Sequence, residues 1–161
     1  MLFKEQNIPL SPEIEAYYKK INQDLWKSFE EGNQLVHGAL ELITDLQDQY
    51  DLYIVTNGVS KTQYKRLRAS GLFLLFKDIF VSEDTGSQKP KKEYFDCVFA
   101  RIANFDVNQA LIIGDSLSAD IKGGQLAGLD TCWLNPEMKP NNTGIVIVMS
   151  VYIFLRIIDS R

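Results

Sequence analysis

The chain has 161 residues, 45% hydrophobic and 24% charged, which is ordinary for a globular protein of one domain with at most a small appendage. Its formal net charge of -4 and pI near 5.0, with no basic stripe to offset the acids, argue against a nucleic-acid binder. No basic-then-apolar leader opens the chain, and two cysteines without metal or redox spacing read as reduced core residues of a cytoplasmic protein.

In chain order, Ser11-Pro12-Glu13 predicts a helix start, with Ser11 as N-cap and Pro12 at the first helical position. The run to about Glu30 places Ile14, Tyr17, Tyr18, Ile21, Leu25, Trp26 and Phe29 at helical spacing, and Gly32-Asn33 ends it. A second helix is expected over about Gly38 to Gln49. LYIVTNG then reads as a buried strand closed by a turn, followed by a helix from about Ser60 to Ser70 that stops at Gly71. Lys61, Lys65, Arg66 and Arg68 on that helix form a solvated face rather than a phosphate track. DIFVSED is the next expected strand, and Lys89-Pro90 opens a helix reaching about Ala103 that carries Cys97. ALIIGD, a further helix, and DTCWLN with Cys132 complete the series. Strand alternating with helix implies an α/β domain whose parallel sheet is covered on both faces.

The densest chemical pattern is LIIGDSLSADIKGGQLAG, Leu111 to Gly128. An apolar strand ends in Gly114-Asp115, and a second carboxylate, Asp120, follows five residues later. Open α/β sheets bind ligands at the carboxyl ends of their strands. Two acids without a nearby cation are costly unless something positive, usually a metal, lies between them. This reads as a Mg²⁺-type corner. No G-x-G-x-x-G follows any strand, so dinucleotide binding is not indicated. A phospho-acceptor receiver domain would need an acidic pair after its first strand, which is absent.

Thr56 in YIVTNG, Lys89 in SQKPKKEYF, and Asp115 with Asp120 in GDSLSAD together resemble motifs two, three and four of the haloacid dehalogenase (HAD) superfamily of phosphatases. VSEDTGSQKPKKEYFD and GDSLSADIKGGQLAGLDTCWLN are similar to its pyrimidine 5′-nucleotidase subgroup, and the likeness covers about Leu35 to Asn142. The resemblance implies a Rossmann-like three-layer core over residues 33–143 behind a remnant helical cap at 1–32. It also implies a Mg²⁺-dependent phosphomonoesterase acting on a nucleotide-like phosphorylated small molecule. Thr56, with the backbone N–H groups of Asn57 and Gly58, would bind the phosphate. Lys89 would bind it too and serve catalysis with a fixed positive charge. Asp115 and Asp120 would form the metal site, Asp120 through water or by orienting its neighbours. Such roles suit phosphoryl transfer, which is mostly positioning and charge stabilisation.

One part of the pattern is missing. Family members begin with a strand ending in D-x-D-x-T, whose first Asp is the nucleophile and whose second is the general acid and base. This sequence contains no D-x-D. It starts with MLFKEQN, which resembles the cap helices that follow that motif, and the cap itself looks abbreviated. His37 stands where the family usually has Pro, and reads as a linker residue. The chain is therefore expected to be truncated and inactive as a phosphatase. The alternative is a non-catalytic remnant that binds phosphate, a metal or a protein.

The missing strand would be central. About five apolar side chains there would contribute roughly 8–15 kcal/mol, the scale of a domain's net stability, about 5–15 kcal/mol. Either the flanking strands pair directly or a surrogate strand enters. Residues 144–161 form a divergent apolar tail, uncharged from Ile145 to Leu155, that offers such a surrogate. Its β-branched and aromatic content favours a strand, with a short apolar helix as the alternative, and it falls short of the about 17–25 residues of a membrane span.

Overall fold

The computed structural model describes residues 12, 16, 19–21, 35 and 38–135, together with the backbone of two strands, Val146–Val148 and Ile153–Ile157. The chain divides into two compact units, Met1–Gly32 and Asn33–Arg161. In the first, the described positions 12, 16 and 19–21 are helical. The rest of the helix expected to reach Glu30, and His37, lie outside the described residues.

The second unit is built of α1 (Ala39–Gln47), β1 (Tyr50–Thr56), α2 (Ser60–Ala69), β2 (Asp78–Val81), the one-turn α3 (Ser82–Thr85) and α4 (Lys92–Arg101). It continues with β3 (Ala110–Gly114), α5 (Lys122–Ala127), β4 (Asp130–Leu134), β5 (Val146–Val148) and β6 (Ile153–Ile157). The sheet order is β2-β1-β6-β3-β4-β5. Strands β1 and β2 are parallel, as are β3, β4 and β5, whereas β6 runs antiparallel to both β1 and β3. The apolar tail thus supplies the strand between β1 and β3. Its register places Leu155 opposite both Leu52 and Leu111, and Ile153 opposite Ile113.

The period of two in the strands sorts side chains onto two cores. Leu52, Ile54, Ile79, Val81 and Ile113 share one cluster with Ala39 and Ile43 of α1, and Tyr64 and Leu67 of α2 pack on it. Tyr53, Phe80, Ala110 and Ile112 face the other way, onto Tyr94, Phe95 and Val98 of α4. These apolar runs are buried on both faces, as a sheet covered by helices on each side requires. Tyr94 is fully buried and donates its hydroxyl to the Phe80 carbonyl at 2.6 Å; burial holds that hydroxyl protonated well above its ordinary range. On the same face, Gly123 and Gly124 let α5 lie close: a Cβ at Gly124 would overlap Ile112, and one at Gly123 would crowd Phe95 and the Pro90 backbone.

Two boundaries differ from the expectation. The strand expected over DIFVSED stops at Val81, and Ser82–Thr85 turns into a helix. There the Ser60 amide donates to Glu83 Oε2 at 2.7 Å, and the Ser60 hydroxyl donates to Asp84. Helix α2 has no side-chain cap of its own, so these acids satisfy donors at its start and sit favourably at its positive end. The helix expected to open at Lys89-Pro90 instead starts at Lys92, because the Lys89 main chain is engaged elsewhere and the Lys91 amide closes a turn onto Gln88. Both cysteines are free thiols; Cys132 is buried in β4, and burial raises its pKa, but Cys97 on α4 is only half-buried. Among the described residues no helix is long and apolar enough to cross a membrane.

Candidate active-site corner at the carboxyl edge of the sheet

Thr56 is the last residue of β1, and Gly114-Asp115 ends β3, so both stand at the carboxyl edge of parallel strands. The segment carrying Lys89 reaches the same edge from the loop after α3. Lys89 is buried, and its ammonium donates to the Val55 carbonyl at 2.7 Å and to Asp120 Oδ1 at 2.6 Å. Both side chains of that ion pair are nearly excluded from water, at 7% and 6% exposure. The other Asp120 oxygen, Oδ2, accepts from the Ser116 amide at 3.0 Å.

Asp120 reaches this position because β3 is followed by a wide turn, Leu117–Ile121, before α5 begins. The Ser116 carbonyl accepts from the Asp120 amide at 2.9 Å and the Ile121 amide at 3.1 Å, while the Ser116 hydroxyl accepts from the Ala119 amide. Such i→i+5 turns recur at functional sites. Gly114 is the second local requirement. A Cβ there would coincide with the Asp120 carboxylate, so only glycine allows the acid to fold back against the strand end.

The remaining residues expected at the site are also at this corner. The Thr56 hydroxyl is half-buried and makes only a long hydrogen bond, 3.4 Å, to the Asn57 carbonyl. The side chain of Asn57 bonds the main chain of Lys89 in both directions, at 2.9 Å each. The Gly58 amide donates to the Ser82 hydroxyl at 2.9 Å, so it is occupied in this structure. Asp115 is exposed, and its carbonyl accepts from the Trp133 indole at 3.0 Å. Against Gly58 lies an open depression of about 300 Å³, lined also by Ser82, Glu83, Gly86, Gln88 and Lys91.

The structure thus brings Lys89 and Asp120 into direct contact and ties Asn57 to Lys89. The sequence held the residues but not these pairings, which join positions 31 and 32 apart. Ser82 and Ser116, whose hydroxyls brace the two loops, were not singled out in the sequence; a serine just past a strand end is too common a signal.

Mg²⁺ takes one or two carboxylates, several waters and substrate phosphate oxygens. The exposed Asp115 carboxylate fits that pattern, whereas both oxygens of Asp120 are already engaged by Lys89 and Ser116. Among the described residues no group of three or more His, Cys, Asp or Glu is placed to hold a metal without a substrate's help.

Comparison with known proteins bears on this arrangement. The protein named HAD-hydrolase YfnB of Bacillus subtilis is 55% identical over 185 aligned positions, which span 91% of this chain and 79% of that protein. That alignment is longer than the 161 residues of the whole chain, so the relative carries residues inside the matched span that this chain lacks. The pyrimidine 5′-nucleotidases PynA of Streptococcus pneumoniae and YjjG of Escherichia coli are 40% and 34% identical over 78% and 82% of the chain. The chain spans only 54% and 59% of those two enzymes. A crystal structure of YfnB bound to magnesium superposes with a TM-score of 0.71 at 53% identity, covering 91% of this chain and 83% of that one. The family model for haloacid dehalogenase-like hydrolases matches residues 1–134, and the chain belongs to that family.

Proposed function

We propose that this chain keeps the phosphate-binding half of a HAD phosphatase site and, within these 161 residues, does not hydrolyse phosphomonoesters. One observation carries the reading: the place between β1 and β3 is filled by β6, which runs opposite to its neighbours. In a phosphatase of this family the strand between these two would bring a carboxylate nucleophile to its carboxyl end. Here the amino end of β6 lies at that edge, since Ile153 pairs with Ile113, and the sequence has no Asp or Glu between Glu137 and Asp159.

What remains suits a phosphate. Thr56 offers a weakly held hydroxyl, and the Lys89 ammonium, with three N–H donors, has two of them committed to Val55 and Asp120. Its third N–H would be the donor to a phosphate oxygen. Asp120 acts on Lys89, holding the ammonium in place. Mg²⁺, held by Asp115, would neutralise phosphate charge when bound. The kinship with pyrimidine 5′-nucleotidases points to a nucleoside monophosphate as the parent ligand, its organic part lying toward the polar depression beside Gly58.

The reading is tested by phosphate release from uridine monophosphate and an aryl phosphate with Mg²⁺, beside an Asp115→Asn control. No release above the enzyme-free blank is expected from the folded chain. Turnover that the control abolishes would show a replacement nucleophile and overturn the reading.

A further inference from the structure

Asn57 follows β1 directly and is half-buried. Both polar atoms of its side-chain amide bond one residue 32 positions away. The Lys89 N–H donates to Asn57 Oδ1 at 2.9 Å, and Asn57 Nδ2 donates to the Lys89 carbonyl at 2.9 Å. A carboxamide presents an acceptor and a donor side by side, which is what both polar groups of one residue's main chain require. At its other end Lys89 is held by the Val55 carbonyl and by Asp120. The residue is therefore gripped twice by one strand end, at the main chain by Asn57 and at the ammonium by Val55.

Lysine is a flexible donor whose many rotamers must be restrained for its ammonium to hold one position. Two contacts at the ammonium fix its tip only if its main chain is also fixed relative to β1. The main chain of Lys89 has no strand or helix to hold it, since α4 begins at Lys92. The side chain of Asn57 supplies that restraint. Because Asn57 is bonded in sequence to Thr56, the restraint also sets the distance between the Thr56 hydroxyl and the Lys89 ammonium.

We infer that Asn57 is a positioning residue: its amide locks the Lys89 main chain so that the lysine ammonium and the Thr56 hydroxyl form one anion site. The anion, a phosphate, rests on the reading above; the lock does not.

The test is lysine-specific acetylation of the full chain by dilute acetic anhydride, read by mass spectrometry, comparing wild type with Asn57→Ala. Exposed Lys61 serves as the internal standard. Losing both hydrogen bonds should raise labelling of Lys89 about tenfold relative to Lys61. A purely structural defect would raise labelling at many lysines and shift the melt, so both are recorded. Unchanged Lys89 labelling in a variant that still melts cooperatively overturns the inference. Should Asn57→Ala fail to fold, wild-type hydrogen exchange decides instead. Slow exchange of the Lys89 amide and the Asn57 carboxamide protons is expected, and fast exchange of both contradicts the lock. Titration of the wild type with inorganic phosphate separates the two ideas. No binding there, with Lys89 labelling raised in the variant, removes the phosphate reading and leaves the lock standing.

Discussion

Lys89 and Asp120 form an ion pair with almost no contact with water, and its energetics decide what single substitutions do. Removing one partner of a buried pair leaves an uncompensated charge, which costs about 3–5 kcal/mol. Lys89→Met should therefore destabilise the chain on that scale in urea unfolding. Adding Asp120→Asn should recover much of the loss, because the charge left behind disappears; no recovery in the double variant would mean that the pair is not buried as described. The pair also shows how far residue-level reading of the sequence reaches. Motif resemblance identifies Lys89 and Asp120 separately, as a phosphate cation and a metal-site acid. That they face each other depends on the wide turn after Ser116 and on the missing Cβ of Gly114. Neither turn width nor that close approach has a local signature. The same holds for the amide of Asn57, whose partner is a main chain distant in sequence.

At the scale of elements, the strands were the most legible part of the chain. Their short apolar runs end in turn residues, and β1, β2 and β3 alternate between the two cores that the structure shows. Ser82–Thr85 was less legible, since its two acids are recruited by the start of α2, a tertiary contact that overrides local preference. The tail is the instructive case. An uncharged β-rich run predicts a strand, and the unfilled centre of the sheet offers it a place, but its direction has no sequence signal. It enters antiparallel, bridging two halves of a sheet that among the described residues share no other ladder. Deleting Ile145 to Arg161 would leave the facing edges of β1 and β3 without ladder partners, and each main-chain polar group left buried and unsatisfied costs about 1–3 kcal/mol. Cooperative thermal unfolding should be lost in that variant, and a melt unchanged from wild type would exclude β6 as the strand that joins the halves.

For the whole molecule, the proposed reading is a phosphatase-type sheet edge that keeps binding groups without the attacking group. The corner built by β1, β3 and the Lys89 segment retains a hydroxyl, a buried ammonium and an exposed carboxylate. The strand that lies between β1 and β3, β6, carries no Asp or Glu. Family membership describes the ancestry of this edge; its present chemistry follows from what the strands actually carry. The most direct test is a calorimetric titration of the full chain with inorganic phosphate, with and without Mg²⁺, beside Thr56→Val, which removes one hydroxyl and keeps the shape. The account expects saturable one-site binding, weakened roughly three- to tenfold in Thr56→Val by the loss of one hydrogen bond. Absence of saturable binding by the folded wild type, or equal binding by the variant, would contradict it.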